Sequence, residues 1–425
     1  MRKKLKLVFD ATILANEVNK DAARSGIYFT AFNIFKELTK HKEIDLILCN
    51  WGANYEDLST FLNKYFKNRK FNIINANSFT LYKKLKKRKD YYKNNGNLIA
   101  KFLIQILLCC LSPISKIWNK FVIFNCIKKV NMNDAYLSLM YKKPKNLKIK
   151  SYTMLYDLTP KLFPDYHIQI FKKGDWLYDL CHSLNKNDYY FAISNATRND
   201  FLKYYPCIDE KKFKTTYLAC NSSFKPKSEY EIDIVKKKYN IPNNKKYVFS
   251  LCTLEPRKNL IRAVKTFVEF INKNNIDDLV FVLGGGHWNY FIEKLEQEIK
   301  NLSDCRDKII KIGYVDDEDL PALYSGAEWF TYTSMYEGFG LPPLEAMSCG
   351  CSVITSNNSS LPEVVGNAAI MIDWDSDEQH IQAYEKYYFD NGLRMLNRTK
   401  GLERAKQFSW EKCTNEILEV MENAI

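Results

Sequence analysis

Histidine is scarce in this chain, with five in 425 residues. The twelve cysteines never pair as C-x2-C; Cys109-Cys110 and Cys349-x-Cys351 come nearest. These shortages exclude the structural zinc classes, whose ligands recur at fixed short spacings. No nucleic-acid-binding motif is present, so no nucleic-acid partner is expected despite a formal net charge of +14. Met1 leads into Lys3-Lys-Leu-Lys-Leu-Val-Phe-Asp10, a charged start followed by a strand. No secretory signal is expected from it, and the thiols are expected to be reduced in a cytoplasmic compartment. The longest apolar run, Leu98–Leu111, ends near Pro113. It falls short of the roughly 20 residues that span a bilayer.

What is present suggests two domains, since the length exceeds one ordinary hydrophobic core. Leu5–Asp10 reads as a strand and Ser25-Gly26 opens a helix with Ile27, Phe29, Phe32, Ile34, Phe35 and Leu38 on its apolar side. Ile44–Cys49 is the next strand. The rhythm resumes with strand Tyr247–Leu251, helix Asn259–Asn272 and strand Leu279–Leu283, which ends in Gly284-Gly-Gly286. Ile309–Ile312, Trp329–Tyr332 and Ser352–Thr355 follow as short strands. Alternating strands and helices imply an α/β chain with two doubly wound parallel sheets and ligands at the carboxyl ends of the strands. The expected division is residues 1–230, residues 240–408 and a terminal helix, 409–425, with a linker near 225–240.

Charge divides with the domains. Residues 1–230 hold 41 Lys and Arg against 19 Asp and Glu, a net of +22; residues 231–425 hold 22 against 30, a net of −8. So large an asymmetry suggests that the first domain faces something anionic. Residues 81–130 fit a plain wound sheet poorly. They combine the basic run Lys83–Lys89, the apolar stretch Leu98–Leu111, and a mixed segment, Ser115–Lys129, that includes Trp118. Three readings stand: a buried helix on the sheet, an interfacial helix on an anionic membrane surface, and a spanning helix.

The most informative segment is Ser334-Met-Tyr-Glu-Gly-Phe-Gly-Leu-Pro-Pro-Leu-Glu345. Gly338 and Gly340 permit positive φ and close backbone approach. Pro342 and Pro343 suit a helix's first turn. A glycine turn feeding a helix N-terminus is a ready phosphate site. Glu337, beside it, is placed to accept hydrogen bonds from hydroxyls, and Glu345, one turn into the helix, to hold a second set. Phosphate between two polyols describes a nucleotide-sugar. Arg257 and Lys258, between a strand and a helix, supply two cations for a diphosphate. Asp373-Trp-Asp375 and Asp316-Asp-Glu-Asp319 read as solvated acidic loops, and no metal is expected.

The E-x7-E element resembles the signature of glycosyltransferase family 4, the large retaining GT-B family. Leu254-Glu-Pro-Arg-Lys-Asn-Leu260 resembles its diphosphate-binding segment, with Cys252 standing where relatives carry glycine. Gly313–Ala327 and Ser356–Ala369 resemble the stretches flanking the signature, Ser25-Gly-Ile-Tyr28 the first glycine loop, and Tyr156-Asp157-Leu158 the usual His-Asp-Leu. Strong resemblance covers residues 245–375. It implies GT-B architecture with the site in the interdomain cleft and the last helix returning to the first domain. Among site residues it implies Glu337, Lys258 and Arg257 at the reacting centre. Gly26, Tyr156, Asp157, Gly338, Phe339, Gly340, Leu341 and Glu345 would bind substrate. The implied activity is retaining, metal-independent transfer of a sugar from a nucleotide-diphosphate donor, with GDP-mannose favoured. The acceptor would be a glycan or lipid-linked oligosaccharide of bacterial O-antigen, capsule or lipopolysaccharide synthesis. From the charge of the first half and residues 81–130, the protein is expected to be peripheral on the inner membrane face. The alternative is a noncatalytic GT-B scaffold of a polysaccharide-assembly complex.

Overall fold

A computed structural model describes residues 4–15, 26–51, 55–75, 85, 88, 89, 92, 98–131, 134–166, 171–286, 289–301 and 303–424. Ser25 and most of the basic run 83–89 lie outside these residues.

The first sheet contains β1 (Leu5–Asp10), β2 (Ile44–Asn50), β3 (Asn72–Asn75), β4 (Ala135–Ser138), β5 (Lys150–Leu155), β6 (Tyr189–Ala192) and β7 (Phe213–Thr215). The second contains β8 (Lys246–Leu251), β9 (Leu279–Gly284), β10 (Ile309–Gly313), β11 (Trp329–Tyr332), β12 (Ser352–Ser356) and β13 (Ala369–Ile372). Their orders are β3-β2-β1-β4-β5-β6-β7 and β10-β9-β8-β11-β12-β13. Paired strands run parallel, as in β8–β9 and β8–β11. Both sheets reverse direction beside their first strand, which opens a crevice at the carboxyl ends of β1/β4 and β8/β11. Helices cover both faces, so the central strands are continuous apolar runs; β9, Leu-Val-Phe-Val-Leu-Gly, is buried throughout.

Helices that bear on the site are α1 (Gly26–Leu38), α2 (Leu98–Ile127), α3 (Asn195–Tyr204), α4 (Glu229–Lys238), α5 (Leu260–Lys273), α6 (Leu341–Ser348) and α7 (Trp410–Ala424). The buried face of α1 is Tyr28, Thr30, Ala31, Ile34, Phe35 and Leu38, so Ile27, Phe29 and Phe32 fall to its flanks. α7 returns to the first domain, where Lys150 Nζ donates to the Ala424 carbonyl and Cys413 lies against Tyr156.

Two segments differ from expectation. Residues 229–238 form α4 rather than an open linker. A Ser228–Glu231 capping box starts it, and its Lys236-Lys-Lys238 run is a basic last turn that complements the helix dipole. Lys227 N donates to Ser325 Oγ at 3.1 Å and Lys238 pairs with Asp316 and Asp319 at 2.9 and 2.5 Å, which fixes the segment to the second domain. In the first domain the apolar run does not stop at Pro113. α2 continues through it and runs 30 residues in all, although an interior proline removes one amide donor. α2 is thus long and apolar enough to cross a membrane by length and composition, yet only 18% of its most apolar window is buried. α2 is therefore packed on the sheet by one stripe and is not the wholly buried helix of the first of the three readings.

Candidate active site

The loops after β8 and β11, adjacent strands at the second switch point, build the charged centre. After β8 the chain makes a short 3-10 turn, Pro256–Lys258, and Asn259 then adopts φ +58°. Asparagine tolerates this left-handed conformation better than most residues, and here its Nδ2 donates to the Trp374 carbonyl at 2.6 Å. The carbonyl of Arg257 accepts Met335 N at 2.8 Å and Ser334 Oγ at 3.2 Å, so the two loops are tied together.

Within that frame Glu337 Oε1 receives Arg257 Nη1 at 3.0 Å and Lys258 Nζ at 2.7 Å. Lys258 Nζ also donates to Tyr332 Oη at 2.7 Å, and Arg257 forks to Glu255 and to the Tyr336 carbonyl. These side chains are nearly buried, at about one-tenth exposure or less. Burial alone would push the Glu337 carboxyl up, but Arg257 and Lys258 outweigh it and hold its pKa at about 2. Burial works against the charge of Arg257 too, yet Glu337 and Glu255 raise its pKa above the ordinary value. Glu337 and Arg257 are therefore held ionised in a buried crevice, where fixed charges act strongly on a bound anion.

Glu345 contrasts with it. It accepts Tyr324 Oη at 3.0 Å, and burial lifts its pKa to about 7, which the Tyr324 bond only partly offsets. The nearby Asp317 carboxylate adds to the rise.

The glycines divide the work expected of them. Gly340 has φ +114° and begins α6, whose N-terminus no side chain caps. Gly338 does not need positive φ; it needs space. A Cβ there would lie 2.5 Å from Asp157 Oδ2 and 2.7 Å from its Cβ. Asp157 thus faces the glycine turn from the first domain, with its Oδ1 fixed by Thr159 N at 3.0 Å. Gly26 also faces across the cleft, since a Cβ there would sit 3.8 Å from Leu341 Cδ1. Phe339 is buried, its ring packed near Tyr217 and Phe408 at centroid distances of 6.3 and 6.0 Å.

Tyr156 does not join this group. Its ring is buried beside Thr30 and Cys413, between α1 and α7, and burial pushes its phenol far above the ordinary value. Consecutive residues leaving a strand point to opposite sides, so when Asp157 takes the cleft, Tyr156 is turned into the core. Cys252 does not adopt positive φ either. The tight approach is met by Gly285 at φ +142°, where a Cβ would lie 1.8 Å from the Cys252 carbonyl oxygen. The Gly284-Gly-Gly286 run is therefore explained by its packing against the loop after β8. Asp316 and Asp319 are engaged by Lys238, and Asp373 by Gln379 Nε2 at 2.8 Å.

Several residues at the cleft were not singled out from the sequence. Tyr332 and Glu255 complete the charged centre. From α3, Ser194 Oγ and Thr197 Oγ1 donate to the Gly338 carbonyl at 2.7 and 3.2 Å. Glu363 accepts Asn195 N and Ala196 N, each at 2.7 Å, and Tyr217 Oη at 3.1 Å. A second-domain carboxylate thus sits on the positive end of a first-domain helix. Tyr336 donates to Asp200 across the same gap.

Residues 231–401 match the profile of group 1 glycosyl transferases. Over 276 residues the chain is 33% identical to the O-antigen chain mannosyltransferase B of Escherichia coli, covering 63% of this chain and 69% of that protein. It is 26% identical over 276 residues to the serotype-specific mannosyltransferase WbdA of Escherichia coli, 64% of this chain but only 33% of that longer protein. In fold it is similar to Anabaena HepE solved with UDP, at TM-score 0.69 and 13% identity over 99% of this chain and all of that one. It is also similar to WaaG, a glycosyltransferase involved in lipopolysaccharide biosynthesis, at TM-score 0.60 and 12% identity over 97% and 99% of the two chains. With the GT-B fold on one side and the O-antigen relative on the other, this chain belongs to the group 1 glycosyltransferases.

Proposed function

We propose that this protein transfers a mannosyl residue from GDP-mannose to a glycan or lipid-linked acceptor of bacterial surface polysaccharide, with retention and without a metal ion. The observation that carries the reading is the buried Glu337–Arg257–Lys258 cluster beside the Gly338–Gly340 turn. Arg257 and Lys258 neutralise the donor diphosphate, and the start of α6 adds backbone donors. Glu337 holds both cations in place and accepts from the sugar hydroxyls, while Glu345 accepts from the ribose. As the bond from sugar C1 to the diphosphate oxygen breaks, the acceptor oxygen bonds to C1 on the same face. The acceptor's proton passes to the departing diphosphate. No protein nucleophile is needed, and the chain contributes positioning and fixed charge. The mannosyl donor is supported by the mannosyltransferase relatives.

Proton NMR of the purified protein with a panel of nucleotide-sugars, with and without EDTA, tests each part. GDP-mannose should be cleaved in both conditions. Turnover of another nucleotide-sugar instead would replace the donor. Loss in EDTA restored by magnesium or manganese would overturn metal independence, and an inverted product anomer would overturn retention.

A further inference from the structure

α2 has two opposite apolar faces. One carries Ile104, Leu108, Ser115 and Cys126, all buried, and its end packs through Val122, Ile123 and Cys126 onto the β1–β2 side of the first sheet. These positions recur at helical spacing, so they form one stripe down most of the helix. On the other side Ile99, Phe102, Leu103, Ile117, Phe121 and Phe124 form a second stripe, between 46% and 75% exposed. A helix of 30 residues is about 45 Å long, so this apolar strip far exceeds the scattered exposed side chains of an ordinary surface.

Charge indicates what covers it. From residue 91 to residue 133 the chain has six lysines and no aspartate or glutamate. Lys120 is exposed on α2 and Lys128 sits 4.6 Å above the Phe124 ring at its end. Trp118, half exposed, borders the outer face, with its ring 6.4 Å from that of Phe121. Apolar side chains flanked by lysines and an aromatic amphiphile match the boundary between acyl chains and anionic headgroups.

We infer that the outer face of α2 lies in the surface of a bilayer containing anionic lipid, with the helix axis in the membrane plane. The inner stripe decides the orientation. A spanning helix meets lipid all round, whereas α2 keeps the stripe Ile104, Leu108, Ser115 and Cys126 buried and packs its end on the first sheet through Val122, Ile123 and Cys126. Attachment therefore sets the first domain against the membrane, independently of which donor the second domain binds. Apolar burial supplies part of the binding and lysine attraction the rest, the latter fading with salt.

The test is flotation of the full chain with vesicles of phosphatidylcholine alone or mixed with phosphatidylglycerol, at low and high salt. The protein should float with the mixed vesicles at low salt, less at high salt and least with phosphatidylcholine alone. Leu103→Ser/Ile117→Ser/Phe121→Ser should weaken partitioning by roughly a hundredfold, since each change removes an apolar side chain from lipid. Because the three side chains are exposed, its melting temperature should match wild type. Release by alkaline carbonate distinguishes an in-plane helix from a spanning one, which would resist. The inference fails if wild type stays unbound on anionic vesicles at low salt, or if the triple variant floats equally. It also fails if carbonate leaves the protein in the vesicles, or if sedimentation shows a self-associated form that the triple variant breaks while vesicle binding is absent.

Discussion

α5 and α2 use apolar residues in opposite ways. α5 buries Leu260, Ala263, Val264, Phe267 and Ile271 on one face and leaves its polar face to water, as a wound domain requires. α2 buries a narrow inner stripe and leaves large apolar side chains outside. The polar residues follow the same division. In the second domain charge is drawn inward, into the buried cluster at the β8/β11 crevice. Residues 1–230 instead carry a net of +22. The comparison teaches a division of labour that the two proposals share: chemistry would sit where burial makes charge strong, and location would be set where exposed apolar area meets lysines.

The sharpest break of that division would come from Lys258→Ala. It should lower turnover by about a hundredfold or more and weaken GDP binding, while vesicle flotation stays as in wild type. Calorimetry with GDP and a rate assay check it; unchanged affinity and rate would remove the chemistry from this crevice. Gly338→Ala addresses the contact between the domains. The new methyl would press on Asp157, so activity should fall steeply and stability by about 1–3 kcal/mol. A normal rate and melt would mean the domains do not meet at this distance in solution.

A smaller effect is expected from Glu363→Gln, which keeps the shape but removes the charge at the α3 N-terminus. That interaction is worth roughly 1 kcal/mol, so donor KM should rise by about fivefold with the fold intact. An unchanged KM would make the link incidental.

A further test separates the two glutamates by pH. Glu345 has its pKa raised from 4.5 to about 7, so the native state holds its proton more tightly than the unfolded chain. Stability from this group falls as pH rises between those values. Glu337, lowered from 4.5 to about 2, contributes stability that is present above 4.5 and lost as pH falls toward 2. Across the interval from 4.5 to about 7, the melting temperature of wild type should therefore drop relative to Glu345→Gln as pH rises. Parallel melting curves would show that burial does not perturb Glu345.

The second domain was more legible in the sequence because its chemistry is local. Glu337, Gly338, Gly340 and Glu345 share one segment, and Arg257 and Lys258 share another, each with its turn residues beside it. The first domain was less so. Pro113 reads as a stop, and only the packed inner stripe shows why the helix passes through it. Tyr156 and Asp157 are adjacent in sequence yet face opposite sides, a split set by where β5 ends at Leu155. Glu363 and Thr197 act across separations of 167 and 141 residues, which no local pattern reports.

Glu337 is the residue on which the account depends, and comparing wild type with Glu337→Gln on GDP-mannose tests it most directly. The exchange keeps volume but removes the charge that holds Arg257 and Lys258. Proton NMR in the presence of acceptor glycan should show an α-mannosyl product from wild type, and a rate lower by about a thousandfold from the folded variant. Equal rates from the two proteins would contradict the account, as would a wild type that binds GDP-mannose without cleaving it or transferring its sugar.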